Sequence, residues 1–282
     1  MKSAVIVPTY NAGDVWKKWI QALLATNVDP RDVYVIDSGS SDNTVRLSRK
    51  AGFTIEQIDQ TTFNHGGTRQ KAISRLSGYE LVVYLTQDAI LQDANSLYEI
   101  TCPFEDQGIG AVCGRQLPRK NAGPIETHAR LYNYHKESTI SSIDDVVYKG
   151  LKAIFLSNSF AAYRISALSE VGGFPNNVIF GEDMYVAAKL LKAGYRVAYA
   201  ADACVYHSHA YTILQEMKRY FDMGVFHARE PWIRKEFGGA ENEGIKFVLS
   251  EVQYLIKHAF WRIPEGLIRT ATRYTGYKLG SI

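Results

Sequence analysis

The sequence predicts an α/β protein built on a mainly parallel sheet flanked by helices. Short continuous apolar runs close in polar turns, each is followed by a stretch with apolar residues at helical spacing, and the alternation repeats. The first run, SAVIVPTYN, reads as a core strand; GDVWKKWIQALLAT follows it, with Trp16, Trp19, Ile20 and Leu23 on one helical face. DVYVID is the second strand, leading through a Ser/Gly/Asp turn into the helix TVRLSRKAG, and ELVVYLTQD is the third. In open sheets of this kind ligands sit beyond the carboxyl ends of the strands, where Thr9, Tyr10, Asp37 and Asp88 fall.

After about residue 110 come a strand, IGAVCGRQLP, a weakly patterned stretch at 119–150 and another apolar run, LKAIFLSNSFAAYR. GEDMYVAAKLLKAG reads as a helix with Met184, Ala187, Ala188 and Leu191 on one face and Gly194 as its stop, so its carboxylates occupy the first turn. The tail is richer in aromatic and basic residues, and IKFVLSEVQYLIKHAFW is amphipathic. The expected organisation is a domain over 1–210, divided into a ligand-binding half at 1–110 and a second half at 111–210, with a helical C-terminal region at 211–282.

Composition narrows the function. With 282 residues, 46% hydrophobic and 22% charged, the chain can bury a large core. A net charge of +3 without basic runs or zinc-finger spacing argues against nucleic acid as a partner. Three cysteines without a CxxC pair suit a reducing compartment, and no run reaches the roughly 18 apolar residues of a membrane-spanning helix. The N-terminus lacks the features of a signal peptide, so a cytoplasmic location is expected.

Several polar residues carry chemistry. Asp37 ends a strand and opens DSGSSDNT, where a carboxylate can accept from a base N–H or a ribose hydroxyl; the alternative is that Asp37 and Asp42 only form the turn and cap the next helix, a reading favoured for Asp42. Asp88 lies past a strand, placed to hold a divalent cation, Mg2+ or Mn2+, that bridges two phosphates. In VYHSH, His207 is the favoured further ligand and His209 the lesser one. Glu182 and Asp183 sit where a helix N-terminus stabilises negative charge, and a carboxylate there can take a proton from an attacking hydroxyl. FNHGGTRQKAI is read as a loop and helix start that holds a diphosphate, with Gly67 allowing close approach and Arg69 forking two oxygens.

PTYN, VIDSGSSDNT, YLTQDA, GGF followed by GED, and VYHSH occur in an order that resembles family 2 glycosyltransferases, over roughly residues 1–210. The resemblance implies a Rossmann-like GT-A fold. It also implies that Pro8, Thr9, Tyr10, Asn11, Asp37 and Gln87 belong to the donor site, that Asp88 binds the metal, that Asp183 deprotonates the acceptor, and that Arg69 is the arginine of the pre-metal helix. One departure is that the family's usual Asp-x-Asp is Thr86-Gln87-Asp88 here.

FNHGGTR and GRQLPR resemble the rhamnosyltransferase branch, which implies dTDP-β-L-rhamnose as donor and a lipid-linked saccharide as acceptor in cell-surface polysaccharide synthesis. The basic tail, with Lys257, Arg262, Arg269, Arg273 and Lys278, is then expected to touch a membrane surface or to form a homo-oligomer. The rival readings are transfer from another nucleotide sugar and a noncatalytic saccharide-binding module. A sugar nucleotidylyltransferase is disfavoured because no Gly-rich loop with a lysine follows the first strand.

Overall fold

A computed structural model describes residues 1–239 and 241–282. The strands are β1 (Ser3–Thr9), β2 (Val33–Asp37), β3 (Thr54–Gln57), β4 (Leu81–Leu85), β5 (Ile90–Leu91), β6 (Ile109–Leu117), β7 (Thr139–Ser141), β8 (Phe160–Arg164) and β9 (Arg196–Tyr206). The helices are α1 (Val15–Leu24), α2 (Thr44–Lys50), α3 (His65–Ile73), α4 (Ser96–Thr101), α5 (Pro124–Asn133), α6 (Val146–Lys149), α7 (Ile165–Glu170), α8 (Glu182–Lys192), α9 (Ile213–Arg229), α10 (Pro231–Phe237), α11 (Glu241–His258) and α12 (Ile263–Gly280).

The sheet runs in the order β3-β2-β1-β4-β8-β6-β9-β5, with β7 on β9. It is parallel from β3 through β4; β8 enters antiparallel between β4 and β6, and β9 returns parallel to β6. Because β1, β2, β4, β6 and β9 point one way and β8 the other, five C-terminal strand ends and the N-terminal end of β8 share one edge. That edge gathers Thr9, Asp37, Asp88, Gln116, Asn158 and His207.

One face of the sheet buries Trp16, Trp19 and Leu23 of α1, the aromatic pair stacked at 4.5 Å. The other buries Val186, Ala187, Leu190 and Leu191 of α8. Gly194, at φ +88°, follows α8 as its sequence anticipates, since a left-handed residue past a helix end favours glycine.

The glycine pair of FNHGGTR has a packing reason within the chain. A Cβ on Gly66 would lie 2.0 Å from the Pro175 carbonyl oxygen, and one on Gly67 would lie 2.9 Å from Asn176 Oδ1. The Gly67 N–H is bonded to Asn64 Oδ1 at 2.8 Å. These glycines let α3 close against the 174–176 loop. Gly66→Ala is expected to cost about 1–3 kcal/mol of stability by overpacking, read as a lowered unfolding midpoint in denaturant. An unchanged midpoint would contradict this packing.

The C-terminal helices are bound tightly to one another. α12 runs along α9 so closely that a Cβ on Gly280 would meet the Phe221 carbonyl oxygen at 2.0 Å. Beside this contact Glu216 accepts from Arg269 at 2.9 Å and from Arg273 at 2.8 Å, and Arg273 also faces Glu251 at 3.6 Å. Arg269 and Arg273, expected from sequence on a membrane-facing surface, are therefore spent inside the helical layer, and Arg262 pairs with Glu265 at 2.5 Å. Lys257 stays outside these pairs, close in sequence to the exposed Ile256, Phe260 and Trp261, and Lys278 lies over the exposed Tyr274 ring at 5.7 Å.

Candidate active site

The ends of β1 and β2 build one loop pair. Asp37 is fully buried and accepts from the Thr9 hydroxyl at 3.0 Å, the N–H groups of Gly39 and Ser40 at 3.2 and 2.9 Å, and the Ser40 hydroxyl at 2.5 Å. A carboxylate offers about four lone-pair sites, and all are taken. Asp37 thereby fixes the turn on which the loop after β1 rests. Asn11, at φ +44°, is held there by bonds to Ser40 and Ser41, while Asp42 accepts from Gly13 and Thr44 as a turn residue.

Tyr10 and Gln87 exchange two bonds, the Tyr10 N–H to Gln87 Oε1 at 2.8 Å and Gln87 Nε2 to the Tyr10 carbonyl at 3.1 Å. The Tyr10 ring stays 43% exposed, free to stack on a ligand. Gln87 thereby joins the end of β1 to Asp88. Pro8 pairs with Ile36 inside the sheet and supports this loop from below. Position 86, where the family's first acid usually stands, is tied inward, with its N–H on Ser159 and its carbonyl on the Trp19 indole.

Asp88, His207 and His209 converge, their ligand atoms all within 4.8 Å of one another. His207 Nε2 lies 3.4 Å from Asp88 Oδ1, His209 Nε2 lies 3.7 Å from Asp88 Oδ2, and the two Nε2 atoms are 2.9 Å apart. The Gln116 amide donates to Ser157 Oγ at 3.0 Å, which turns its oxygen to His207 Nδ1 at 2.8 Å. The His207 proton therefore sits on Nδ1, and its bare Nε2 faces a carboxylate oxygen. Two acceptors turned toward each other are what a cation between them would satisfy, so the donor set fits a divalent ion of borderline softness. Burial lowers the pKa of both imidazoles, His209 to about 4, which favours the neutral ligating form. Burial pushes the Asp88 carboxyl upward, but the polar groups around it, His207, His209 and Thr86, together outweigh this and hold it well below its ordinary range. His209, the lesser candidate from sequence, belongs to the cluster. So does Arg119, which donates to the Asp88 carbonyl at 2.6 Å and to its Oδ2 at 3.2 Å.

The first turn of α8 separates two neighbouring acids. Glu182 is buried, accepting from Arg69 Nη1 at 2.9 Å and from Asn158 Nδ2 at 3.1 Å. Burial works to raise its pKa, yet the Arg69 charge prevails and lowers it. Asp183 is only partly buried and accepts from the N–H groups of Asn158 at 3.1 Å and Met184 at 2.8 Å. Burial, then the Glu182 charge, pushes its pKa up to about 6. Arg69, expected on a diphosphate, is instead 4% exposed and committed to Glu182 and the His65 carbonyl. Glu182 is thus tied up in an ion pair, whereas Asp183 has no ion-pair partner among the described residues.

The segment Ser157-Asn158-Ser159, not singled out in the sequence, joins the two clusters. Ser157 reaches His207 through Gln116, Asn158 holds both acids, and Ser159 accepts from Thr86 at the end of β4.

Residues 4–172 match the description Glycosyl transferase family 2. The chain belongs to that family. Among family 2 relatives it is 49% identical to the O-antigen chain rhamnosyltransferase RfbN of Salmonella typhimurium, over 99% of this chain and 90% of RfbN. It is 48% identical to WbaN, named likewise, of Salmonella anatum, over 98% and 88%. The fold is similar to the mannosyltransferase PcManGT of Pyrobaculum calidifontis, solved with GDP-Man and Mn2+. That likeness has a TM-score of 0.63 at 18% identity over 99% of this chain and 84% of that one. Glucosyl-3-phosphoglycerate synthase of Mycobacterium tuberculosis aligns with a TM-score of 0.55 at 15% identity, over 84% of this chain and 80% of that one. The architecture of this family 2 enzyme is of the GT-A type, closed by a helical C-terminal region.

Proposed function

We propose that this glycosyltransferase moves L-rhamnose from dTDP-β-L-rhamnose to a lipid-linked saccharide during O-antigen synthesis, with inversion at the anomeric carbon. The observation that carries the reading is that the Asp88 cluster and Asp183 share one sheet edge, joined by Ser157 and Asn158, in a chain 49% identical to RfbN over almost its whole length.

Tyr10 and Asn11 lie at the nucleotide end of that edge and Asp183 at the acceptor end. Asp88, His207 and His209 would hold a divalent cation, Mn2+ or Mg2+, which neutralises charge on the donor diphosphate when bound. Asp183 accepts the proton of an acceptor hydroxyl as its oxygen bonds to the anomeric carbon, and the bond from that carbon to the dTDP oxygen breaks on the opposite face. A β donor therefore gives an α-linked product. Glu182 keeps Asp183 basic by its charge and stays out of the proton transfer through its bond to Arg69.

Mixing the purified protein with Mn2+ and, one at a time, dTDP-rhamnose, UDP-glucose and GDP-mannose should release nucleoside diphosphate fastest from dTDP-rhamnose. Equal or faster release from another donor would remove rhamnose from the reading, and release from none would favour a binding module.

A lipid-linked acceptor implies work at the cytoplasmic face of a membrane. No helix among the described residues is long and apolar enough to cross one. The turn between α11 and α12 offers Phe260 and Trp261, 67% and 66% exposed, beside Lys257. Their insertion at the headgroup level would anchor the protein peripherally. In flotation with anionic liposomes the wild type should rise with the lipid and Phe260→Ser/Trp261→Ser should stay below. A wild type that stays below would end this part of the proposal.

A further inference from the structure

We propose that Arg130 and Arg219 form an anion subsite for the acceptor, taking its lipid-linked diphosphate in the cavity roofed by the C-terminal helices. This rests on the reading of the acceptor as a lipid-linked saccharide.

The cavity has a volume of about 1430 Å³ and lies among α5, α9, α11 and α12. Its lining includes both His209 of the cation cluster and Met184, the neighbour of Asp183, so it reaches the two ends of the reaction centre. That is more room than the roughly 300–1,000 Å³ of an ordinary small-ligand pocket, and it suits a saccharide with part of its carrier.

Among the arginines on its wall, some are spent in ion pairs and others are not. Arg262, Arg269 and Arg273 are neutralised by Glu265, Glu216 and Glu251. Arg130 and Arg219 have no carboxylate partner among the described residues and rest on aromatic faces. The Arg130 guanidinium lies 5.9 Å from the Tyr134 ring centre, and that of Arg219 lies 4.9 Å from Phe180 and 5.9 Å from Tyr211.

Their place relative to the cation cluster identifies what they meet. Tyr211 stacks on His209 at 4.9 Å, so a single ring separates Arg219 from the cluster. Arg130 lines the same cavity as His209. A guanidinium held on an aromatic face keeps its N–H fork free, and that fork matches phosphate oxygens in pairs. The donor diphosphate belongs at Asp88, beyond His209. Arginines on the helical side of the cluster therefore serve a second anion, and the diphosphate of a lipid carrier enters from that side.

The test uses the full chain with farnesyl diphosphate as probe and farnesol as its uncharged comparator. Saturating dTDP and Mn2+ close the donor site. Calorimetry should find farnesyl diphosphate binding under these conditions, with Kd raised about tenfold or more in Arg130→Ala and in Arg219→Ala, as loss of a charge-assisted pair implies. Affinity for dTDP should not change in either variant, which also certifies their fold. Binding that dTDP abolishes would assign the arginines to the donor diphosphate and overturn the proposal. Binding unaffected by either substitution, equal binding of farnesol, or none in the wild type would do the same. Failure of the rhamnosyl-transfer reading is read separately, from dTDP-rhamnose turnover in the wild type.

Discussion

Asp183→Asn is expected to lower kcat about a hundredfold or more while leaving dTDP affinity unchanged, because an amide of the same shape cannot take a proton. The pH profile gives an independent reading. Asp183 acts as a base only when ionised, and its pKa is pushed up to about 6, so kcat should fall as pH drops through that value and level off above it. Glu182→Gln separates the two acids. It removes the charge that raises Asp183 and leaves Arg69 to act on it alone, so the acid limb should move to lower pH. It also breaks a buried ion pair, which costs on the order of 3–5 kcal/mol, so this variant should be clearly less stable whereas Asp183→Asn is not. A wild-type kcat in Asp183→Asn would take the proton-accepting role away from that residue.

What was legible in the sequence follows from how local each signal is. The strands before Thr9, Asp37 and Asp88 are continuous apolar runs closed by turns, so their polar ends could be placed on one sheet edge without coordinates. The first turn of α8 was legible for the same reason, with Gly181 before it and Gly194 after it. Partners were not. Arg69 and Glu182 are 113 positions apart, and the arginine in FNHGGTR resembles a phosphate ligand until its carboxylate appears. Asp37 looked free because a sequence does not count the donors that its own turn supplies. His209 had a readable signal that was undervalued: in an extended chain, residues two apart face the same way, so VYHSH aims both imidazoles together. The reversal of β8 depends on the path through 119–150, whose pattern is weak. The basic tail misled because Glu216 and Glu251, which absorb Arg273, lie on other helices.

Asp88→Asn should produce the other large loss, in cation affinity. Asp88 is the one carboxylate of its cluster, and the imidazoles beside it are neutral, so the substitution removes the cluster's negative charge at nearly constant volume. Arg119 sharpens the effect, because its guanidinium already bonds Asp88 and would then oppose an incoming cation without a carboxylate to balance it. Gln116→Leu is the graded comparison. It keeps all three ligands but frees His207 to turn or change tautomer, and loss of such an outer partner costs roughly 10–100-fold in metal affinity. Titrating Mn2+ in the presence of dTDP should therefore give wild type tightest, Gln116→Leu weaker and Asp88→Asn weakest. If Asp88→Asn bound Mn2+ as the wild type does, the cation would have to sit elsewhere. The facing of His207 Nε2 on Asp88 Oδ1 would then need another explanation.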